Sequence, residues 1–351
     1  VKVRSLQLEG FRNVREAELE FGDKTLLVGQ NGAGKTSLAE AVCVGLNGRS
    51  FRTSDTNTVL QKGAPYWRTA VRAERRDGVE HCIVITTSPL RRERMQIDEQ
   101  NVRITQLNAQ YPVVTFVPED RDIITGLPSV RREYLDGILV RCNPLIQRRI
   151  NRASRLLKQR QNLIRSTNID FVTLDVFDEE LAQASIVISE ARAELLEKLR
   201  TSVQDFNNGV TDLNEQIDLR YEPSWKNDPL KELIEARSDD IRRGSTSVGF
   251  HRDDFRIELN GLPAKSTASQ GQVRSLAIAL RVGSAQVIKE EIKEAPLLIL
   301  DDVFSEFDRD RAARLVRMIG QYQTIATNTE ATDSASEWSV VEVSGGRIVS
   351  Q

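Results

Sequence analysis

The sequence predicts an α/β fold in which both ends of the chain build one phosphate-binding head, residues 1–118 and 247–351, around a mostly helical inserted segment, residues 119–246. Three observations carry this expectation. The octapeptide Gly29-Gln30-Asn31-Gly32-Ala33-Gly34-Lys35-Thr36 has the spacing G-x-x-x-x-G-K-[ST] of a phosphate-binding loop. A late apolar run, Leu297-Leu298-Ile299-Leu300, ends in the acidic pair Asp301-Asp302. The two motifs stand most of a chain length apart, so the intervening residues must leave the head and return to it.

Residues 1–21 read as β structure, because Ala17, Leu19 and Phe21 alternate with Glu16, Glu18 and Glu20. Lys24–Val28 reads as a buried strand and Ser37–Leu46 as a helix, with Leu38, Ala41, Val42 and Gly45 on one face. Glycines in the loop between them let successive N–H groups converge without Cβ clashes. A helix that starts there aims its positive end at the phosphates. Trp67–Ala73, Glu80–Thr86 and Met95–Ile97 read as antiparallel strands, and Pro112–Pro118 as a short buried strand bracketed by prolines.

From residue 119 to 205 the pattern turns helical. A basic helix is expected from Pro144 to Ile164, then a connection over 166–177. A second helix follows, whose first turn carries Asp178-Glu179-Glu180. Leu181, Ala184, Ile188, Ala191 and Leu195 step 3-4-3-4, a short coiled-coil-like seam whose phase slips near Lys198. This predicts a helical hairpin of modest length. The seam serves equally a free-standing arm or packing within its own domain. The last third returns to α/β: a helix over Val273–Ile288, the strand Leu297–Leu300, a helix over Arg309–Ile319, a strand over Gln323–Ala326 and a terminal hairpin around Ser344-Gly345-Gly346.

The 351 residues carry a net charge of −2, with 28% charged and 39% hydrophobic residues. That composition is ordinary for a soluble globular protein. No apolar run reaches the ~20 residues of a membrane span, and residues 1–30 lack a signal-peptide pattern. Three scattered cysteines fit a reducing cytoplasm. With only two histidines, the sequence argues against a histidine-based metal site. Arg141, Arg148, Arg149, Arg152, Arg155, Lys158, Arg160 and Arg165 follow one another with no acidic residue between them, a local charge of +8. With so few aromatics nearby, such a stretch favours duplex backbone over stacked single-stranded bases.

The chemistry follows from the motifs. Lys35 is placed to reach the β and γ phosphates, and the Thr36 hydroxyl to ligate Mg²⁺. Asp301, at a strand end, fits the second Mg²⁺ ligand, and Asp302 fits a carboxylate that polarises the attacking water. Ser269-Gln270-Gly271-Gln272 opens the late helix. Its serine fits a plain N-cap. It also fits an ATP-binding-cassette signature, in which one subunit's serine meets the γ-phosphate held by another. Val303–Asp308 resembles the turn that crosses the dimer interface in cassette ATPases.

Further blocks extend the likeness: Gly10-Phe11-Arg12-Asn13, Gly48-Arg49-Ser50-Phe51-Arg52, Pro118-Glu119-Asp120, the run from Gly126 to Asp136, the run from Leu156 to Asn162, and His251-Arg252-Asp253-Asp254. With the phosphate loop, Ser269–Gln272 and Leu300–Asp308, they make the chain resemble the RecF family of bacterial DNA replication and repair proteins along nearly its full length. The resemblance implies a Rad50/SMC-like ATP-binding-cassette head with a stub in place of long coiled coils. It also implies an ATP-dependent homodimer, ATP-dependent binding of DNA, slow ATP hydrolysis, and cytoplasmic service to recombinational repair with RecR, RecO and RecA.

Within that frame, Gly29, Gln30, Asn31, Gly32, Ala33, Gly34, Lys35, Thr36 and Ser37 hold ATP, with Arg12 near the adenine. Ser269, Gln270, Gly271, Gln272 and Asp308 meet the nucleotide of a head-to-tail partner. Asp302 activates water with Lys35, Glu119 and Thr327 beside the γ-phosphate, and Thr36 and Asp301 hold Mg²⁺. Arg131, Arg132, Arg148, Arg149, Arg152 and Arg155 contact double-stranded, gapped or junction DNA. Phe250 replaces a family proline, Phe307 a usual leucine, and Thr327-Asn328 stands where cassette transporters carry a histidine. An ATP-switched scaffold with secondary DNA contact is the alternative. A nuclease would need a further carboxylate-rich domain.

Overall fold

The computed structural model describes residues 1–53, 55–88, 91–211 and 215–350. The chain divides into two compact units: Val1–Asp120, Asp205–Asn214 and Arg274–Gln351 in the first, Arg121–Gln204 and Glu215–Val273 in the second.

The first unit opens with β1 (Lys2–Phe11), β2 (Val14–Glu20), β3 (Lys24–Val28), α1 (Lys35–Asn47), β4 (Trp67–Glu74), β5 (Glu80–Ser88), β6 (Arg91–Ile97), β7 (Gln100–Asn101), α2 (Ile104–Gln110) and β8 (Val113–Phe116). There follow α3 (Asp122–Thr125), α4 (Pro128–Cys142), α5 (Pro144–Ile164), α6 (Phe171–Val210), β9 (Ile217–Glu222), α7 (Pro229–Arg243), β10 (Asp254–Leu259), β11 (Leu262–Pro263), α8 (Ala264–Thr267) and α9 (Gln270–Ile292). The chain ends with β12 (Leu297–Leu300), α10 (Arg309–Met318), β13 (Thr324–Asn328), β14 (Ser339–Ser344) and β15 (Arg347–Ser350).

Two six-stranded sheets form the first unit, with orders β2-β1-β4-β5-β6-β7 and β15-β14-β3-β13-β12-β8. In the second sheet β14, β3, β13, β12 and β8 run parallel. Strands buried on both faces read as unbroken apolar runs, and Leu297–Leu300 is buried at every position. One core joins α1 to residues of both sheets, among them Leu6, Val71 and Ile83 on one side and Leu27, Ile299 and Ile325 on the other. A helix enclosed in this way carries no polar stripe; every residue of α1 except Thr36 is buried. Gly45 permits the fit, since a Cβ there would stand 2.4 Å from Val71 Cγ2.

In the second unit α5 spans the expected residues, but α6 begins at Phe171 rather than at 178. Asp170 starts it, accepting from the Val172 N–H at 3.0 Å and the Thr173 hydroxyl at 2.6 Å. These bonds hold the Asp170 carboxyl below its ordinary pKa. Asp178 is therefore no first-turn acid. It is fully buried and receives Arg160 Nε at 2.5 Å and Arg237 Nε at 2.6 Å. Arg160, counted in the +8 stretch, is also fully buried and reaches Asp240 at 2.8 Å. The seam residues Leu181 and Ile188 pack on Ala153 and Leu156 of α5, with Leu233, Val248 and Phe250, so this part of the seam packs within its own unit.

Residues 247–273 lie with the second unit, not with the head as the sequence reading placed them. Their strand partner explains it: β10 pairs antiparallel with β9, in a sheet ordered β11-β10-β9. Phe250 belongs to this packing. Its N–H donates to Ser185 Oγ at 3.1 Å, a bond that proline could not make.

Candidate nucleotide site

The phosphate loop follows β3 and leads into α1. Gly29 has φ +151°, and a Cβ there would stand 2.2 Å from the Val343 carbonyl oxygen. Gly34 has φ +113° and lies against Gly346. The Lys35 ammonium donates to the carbonyls of Gly29 at 2.6 Å and Gln30 at 3.0 Å. Burial lowers its pKa, while the charges of Asp302 and Asp301 oppose that shift. Asn13, in the β1–β2 turn, ties the loop down. Its Nδ2 donates to the Gly32 carbonyl at 3.0 Å, and its Oδ1 accepts from the Ser37 hydroxyl at 2.9 Å.

Because β3, β13, β12 and β8 are parallel neighbours, their C-terminal ends share one edge of the sheet, the position at which open α/β sheets bind ligands. They deliver the phosphate loop, Thr327, the Asp301-Asp302 pair and the turn Pro118–Arg121 that carries Glu119. The Thr36 hydroxyl donates to Asp301 Oδ1 at 2.8 Å, and the buried Thr327 hydroxyl donates to the same oxygen at 2.7 Å. Thr327 Oγ1 in turn accepts the Asp302 N–H at 3.0 Å. Asp302 holds a left-handed backbone, φ +53°. Burial raises the Asp301 pKa against these hydroxyl bonds, and the neighbouring charge of Asp302 adds to the rise. Glu119 is exposed on its turn.

A cavity of about 570 Å³ opens over the loop, lined by Arg12, Asn13, Asn31, Gly32, Gly34, Lys35, Thr36, Ser37, Arg52, Thr58 and Leu60. A larger hollow of about 920 Å³ over β4–β6 holds none of these groups. A hydroxyl beside a carboxylate is a hard-oxygen pair suited to Mg²⁺, which takes one or two protein ligands and completes its shell with phosphate and water. Among the described residues no group of three or more His, Cys, Asp or Glu could hold a metal by itself.

Arg12 faces this cavity with φ +54°. Its Nε and Nη2 donate to Glu40 at 3.0 and 2.7 Å. Glu40, Asn13 and Arg52 were given no role from sequence. The available signal was a lone carboxylate inside the apolar run Leu38-Ala39-Glu40-Ala41-Val42.

The remaining candidates fall elsewhere. Ser269 is exposed at the head of α9, where its Oγ accepts the Gln272 N–H at 3.2 Å and its own N–H donates to Gln272 Oε1 at 2.7 Å. This reciprocal cap is the plain reading of the motif, and it leaves the serine at the surface. Gln270 and Gly271 are exposed beside it. Asp308 caps α10, accepting from the Arg311 N–H at 2.9 Å. Arg148, Arg149, Arg152 and Arg155 are exposed on α5, and Arg152 stands 3.4 Å from Glu180.

Arg131 and Arg132 must be withdrawn from the expected DNA surface. Arg131 is buried and clamps Asp254 through Nε at 2.7 Å and Nη2 at 2.8 Å. Arg132 is half-buried and donates to the Asp253 carbonyl at 2.7 Å, and burial pushes its pKa down. A charge run in sequence cannot reveal carboxylates more than a hundred residues away.

Among the described residues no helix is long and apolar enough to cross a membrane. A family model described as the RecF/RecN/SMC N terminal domain matches residues 2–343. The chain is 30% identical to the DNA replication and repair protein RecF of Rippkaea orientalis, over 99% of both chains. It is 32% identical to that of Gloeobacter violaceus, over 99% of this chain and 98% of the other. A solved structure of the recombination mediator protein RecF with ATPrS in the RecFOR pathway superposes at a TM-score of 0.90 and 27% identity, covering 99% of this chain and 97% of the other. An Smc head bound to the C-winged helix domain of ScpA shares the fold at a TM-score of 0.59 and 15% identity, covering 100% and 98%.

Proposed function

This chain belongs to the RecF/RecN/SMC N-terminal-domain family, and within it to the RecF proteins, and from that premise we propose that it is an ATP-dependent DNA-binding protein of recombinational repair. The observation that carries the reading is the meeting of Thr36, Asp301, Thr327 and the Asp302 N–H beside the phosphate loop.

In this reading Gly29–Ser37 cradle the triphosphate, and Lys35 exchanges its loop carbonyls for phosphate oxygens. Arg12 borders the adenine end. Thr36 and Asp301 would hold Mg²⁺, which when bound would offset the negative charge of the triphosphate. Asp302 polarises the attacking water, with Glu119 and Thr327 nearby. An aspartate is one methylene shorter than a glutamate, which fits slow turnover. Two copies associate head to tail, and Ser269, Gln270, Gly271, Gln272 and Asp308 of one complete the site of the other. The γ-phosphate then supplies contacts made only in the closed pair, as a nucleotide switch requires. Arg148, Arg149, Arg152 and Arg155 contact the DNA backbone. Service at gapped or stalled sites with RecO and RecR, supporting RecA loading, rests on the family and on the pathway named for the solved relative.

The test is a DNA titration at several salt concentrations with ATP, ADP or no nucleotide, with oligomer mass followed in parallel. ATP alone should double the mass and give tight, salt-steep binding. A monomer in ATP, or DNA affinity indifferent to nucleotide, overturns the reading. The burial of Arg131 and the pairing of Arg132 trim the basic surface and favour the second reading, an ATP-switched scaffold. Stimulation of hydrolysis by DNA excludes it.

A further inference from the structure

We propose that Glu40 is a positioning residue for the nucleotide, holding two arginines against the cavity from behind; this rests on the nucleotide reading above. Glu40 is the only acidic residue of α1 and is fully buried. An isolated carboxylate is not tolerated in such a core, so its partners define its purpose. They are Arg12, through Nε and Nη2 at 3.0 and 2.7 Å, the Ser50 hydroxyl at 2.5 Å, and Arg52 Nη1 at 3.5 Å. Both arginines line the same cavity as Lys35 and Thr36.

The placement of each arginine is over-determined. Arg12 holds a left-handed backbone; its N–H donates to the Val59 carbonyl at 2.6 Å and its Nη1 to the Thr58 carbonyl at 3.3 Å. Strain of this kind persists where the surroundings enforce it and concentrates at ligand clamps. Arg52 is fixed twice. Its guanidinium meets Glu40 directly, and its N–H donates at 2.9 Å to Ser50 Oγ, which itself donates to Glu40. Arg52 keeps 47% of its side chain exposed. A pair serving the core alone would hide both partners; here the carboxylate is hidden and the cations face the cavity. Rotamers set in advance remove an entropy cost from ligand binding.

Titration calorimetry with ATP, well below each variant's Tm, tests this in two backgrounds. Glu40→Gln should weaken ATP binding about tenfold in the native background, as for loss of one charge-assisted hydrogen bond. Where Arg12→Met and Arg52→Met are already present, the same change should alter affinity less than twofold. Glu40→Asp should recover part of the loss, and it carries the test if Glu40→Gln does not fold. Unchanged affinity in the native background, or an equal loss in both, overturns the proposal. Lys35→Ala separates this from the wider reading. If Lys35→Ala retains ATP, the site itself is misassigned. If it loses ATP while Glu40→Gln binds normally, only Glu40's role falls.

Discussion

Thr327 governs two aspartates with one hydroxyl, donating to Asp301 and accepting from the Asp302 N–H. Thr327→Val keeps the shape and removes both bonds. Asp301 keeps the Thr36 hydroxyl, but the Asp302 N–H is left without a partner, at a cost of about 1–3 kcal/mol, which urea unfolding should register together with slower ATP turnover. Asp302→Asn should retain ATP and accumulate the associated pair with hydrolysis lost; a wild-type single-turnover rate would remove Asp302 from the role. Arg131→Ala should destabilise the protein by about 3 kcal/mol, since Asp254 loses its counter-charge, yet leave the salt dependence of DNA binding unchanged. Lys35 and Thr36 could be picked out because their spacing is itself the motif, and Asp301 because it closes an unbroken apolar run. Asn13 and Glu40 were not, because their work is defined by what they touch. Arg131 misled because its partner is remote in sequence.

Elements were legible where one interaction dominates. The strand β12 announces itself by continuous apolar character, β3 by Leu26-Leu27-Val28 leading into the loop, and α5 by its proline start. The start of α6 was misplaced because Asp178-Glu179-Glu180 imitates an acidic first turn, while the true cap, Asp170, lies a full seven residues before Phe177. The helix α7 went unread although Asp228 caps its start and Gly244 its end. At Gly45, alanine improves helix propensity by about 1 kcal/mol, but a Cβ 2.4 Å from Val71 overpacks the core. The clash should win, and Gly45→Ala should lower stability by about 1–3 kcal/mol.

His251 gives the second unit a pH dependence. Burial lowers its pKa to about 4, and its Nε2 meets the Thr246 carbonyl at 3.0 Å. Between about pH 4 and the ordinary histidine value near 6.5, the unfolded chain binds one more proton than the folded protein. Stability therefore falls as the pH drops through that window. The slope of unfolding free energy against pH should be shallower in His251→Gln than in the native protein.

At the scale of the molecule, the meeting of two chain ends was legible from motif separation, since a phosphate loop and its acidic strand end must share a sheet. The exact return point was not, because β10 finds its partner in the short, charged β9. Neutralising Arg148, Arg149 and Arg152 together should flatten the log–log salt slope of DNA binding by up to about 3. Ser269→Arg should leave ATP affinity intact and abolish the ATP-induced rise in mass; equal dimer in both proteins would dismiss the head-to-tail pair.

The hairpin of β14 and β15 also shapes what can be done to this protein in practice. β14 flanks β3 on the side away from β13, and Val343 and Gly346 press on Gly29 and Gly34. A protease cut or a bulky tag that peels residues 339–350 away would turn an interior strand into a bare margin and slacken the grip on the phosphates. Damage there would present as failed nucleotide retention, though the lesion lies behind the loop.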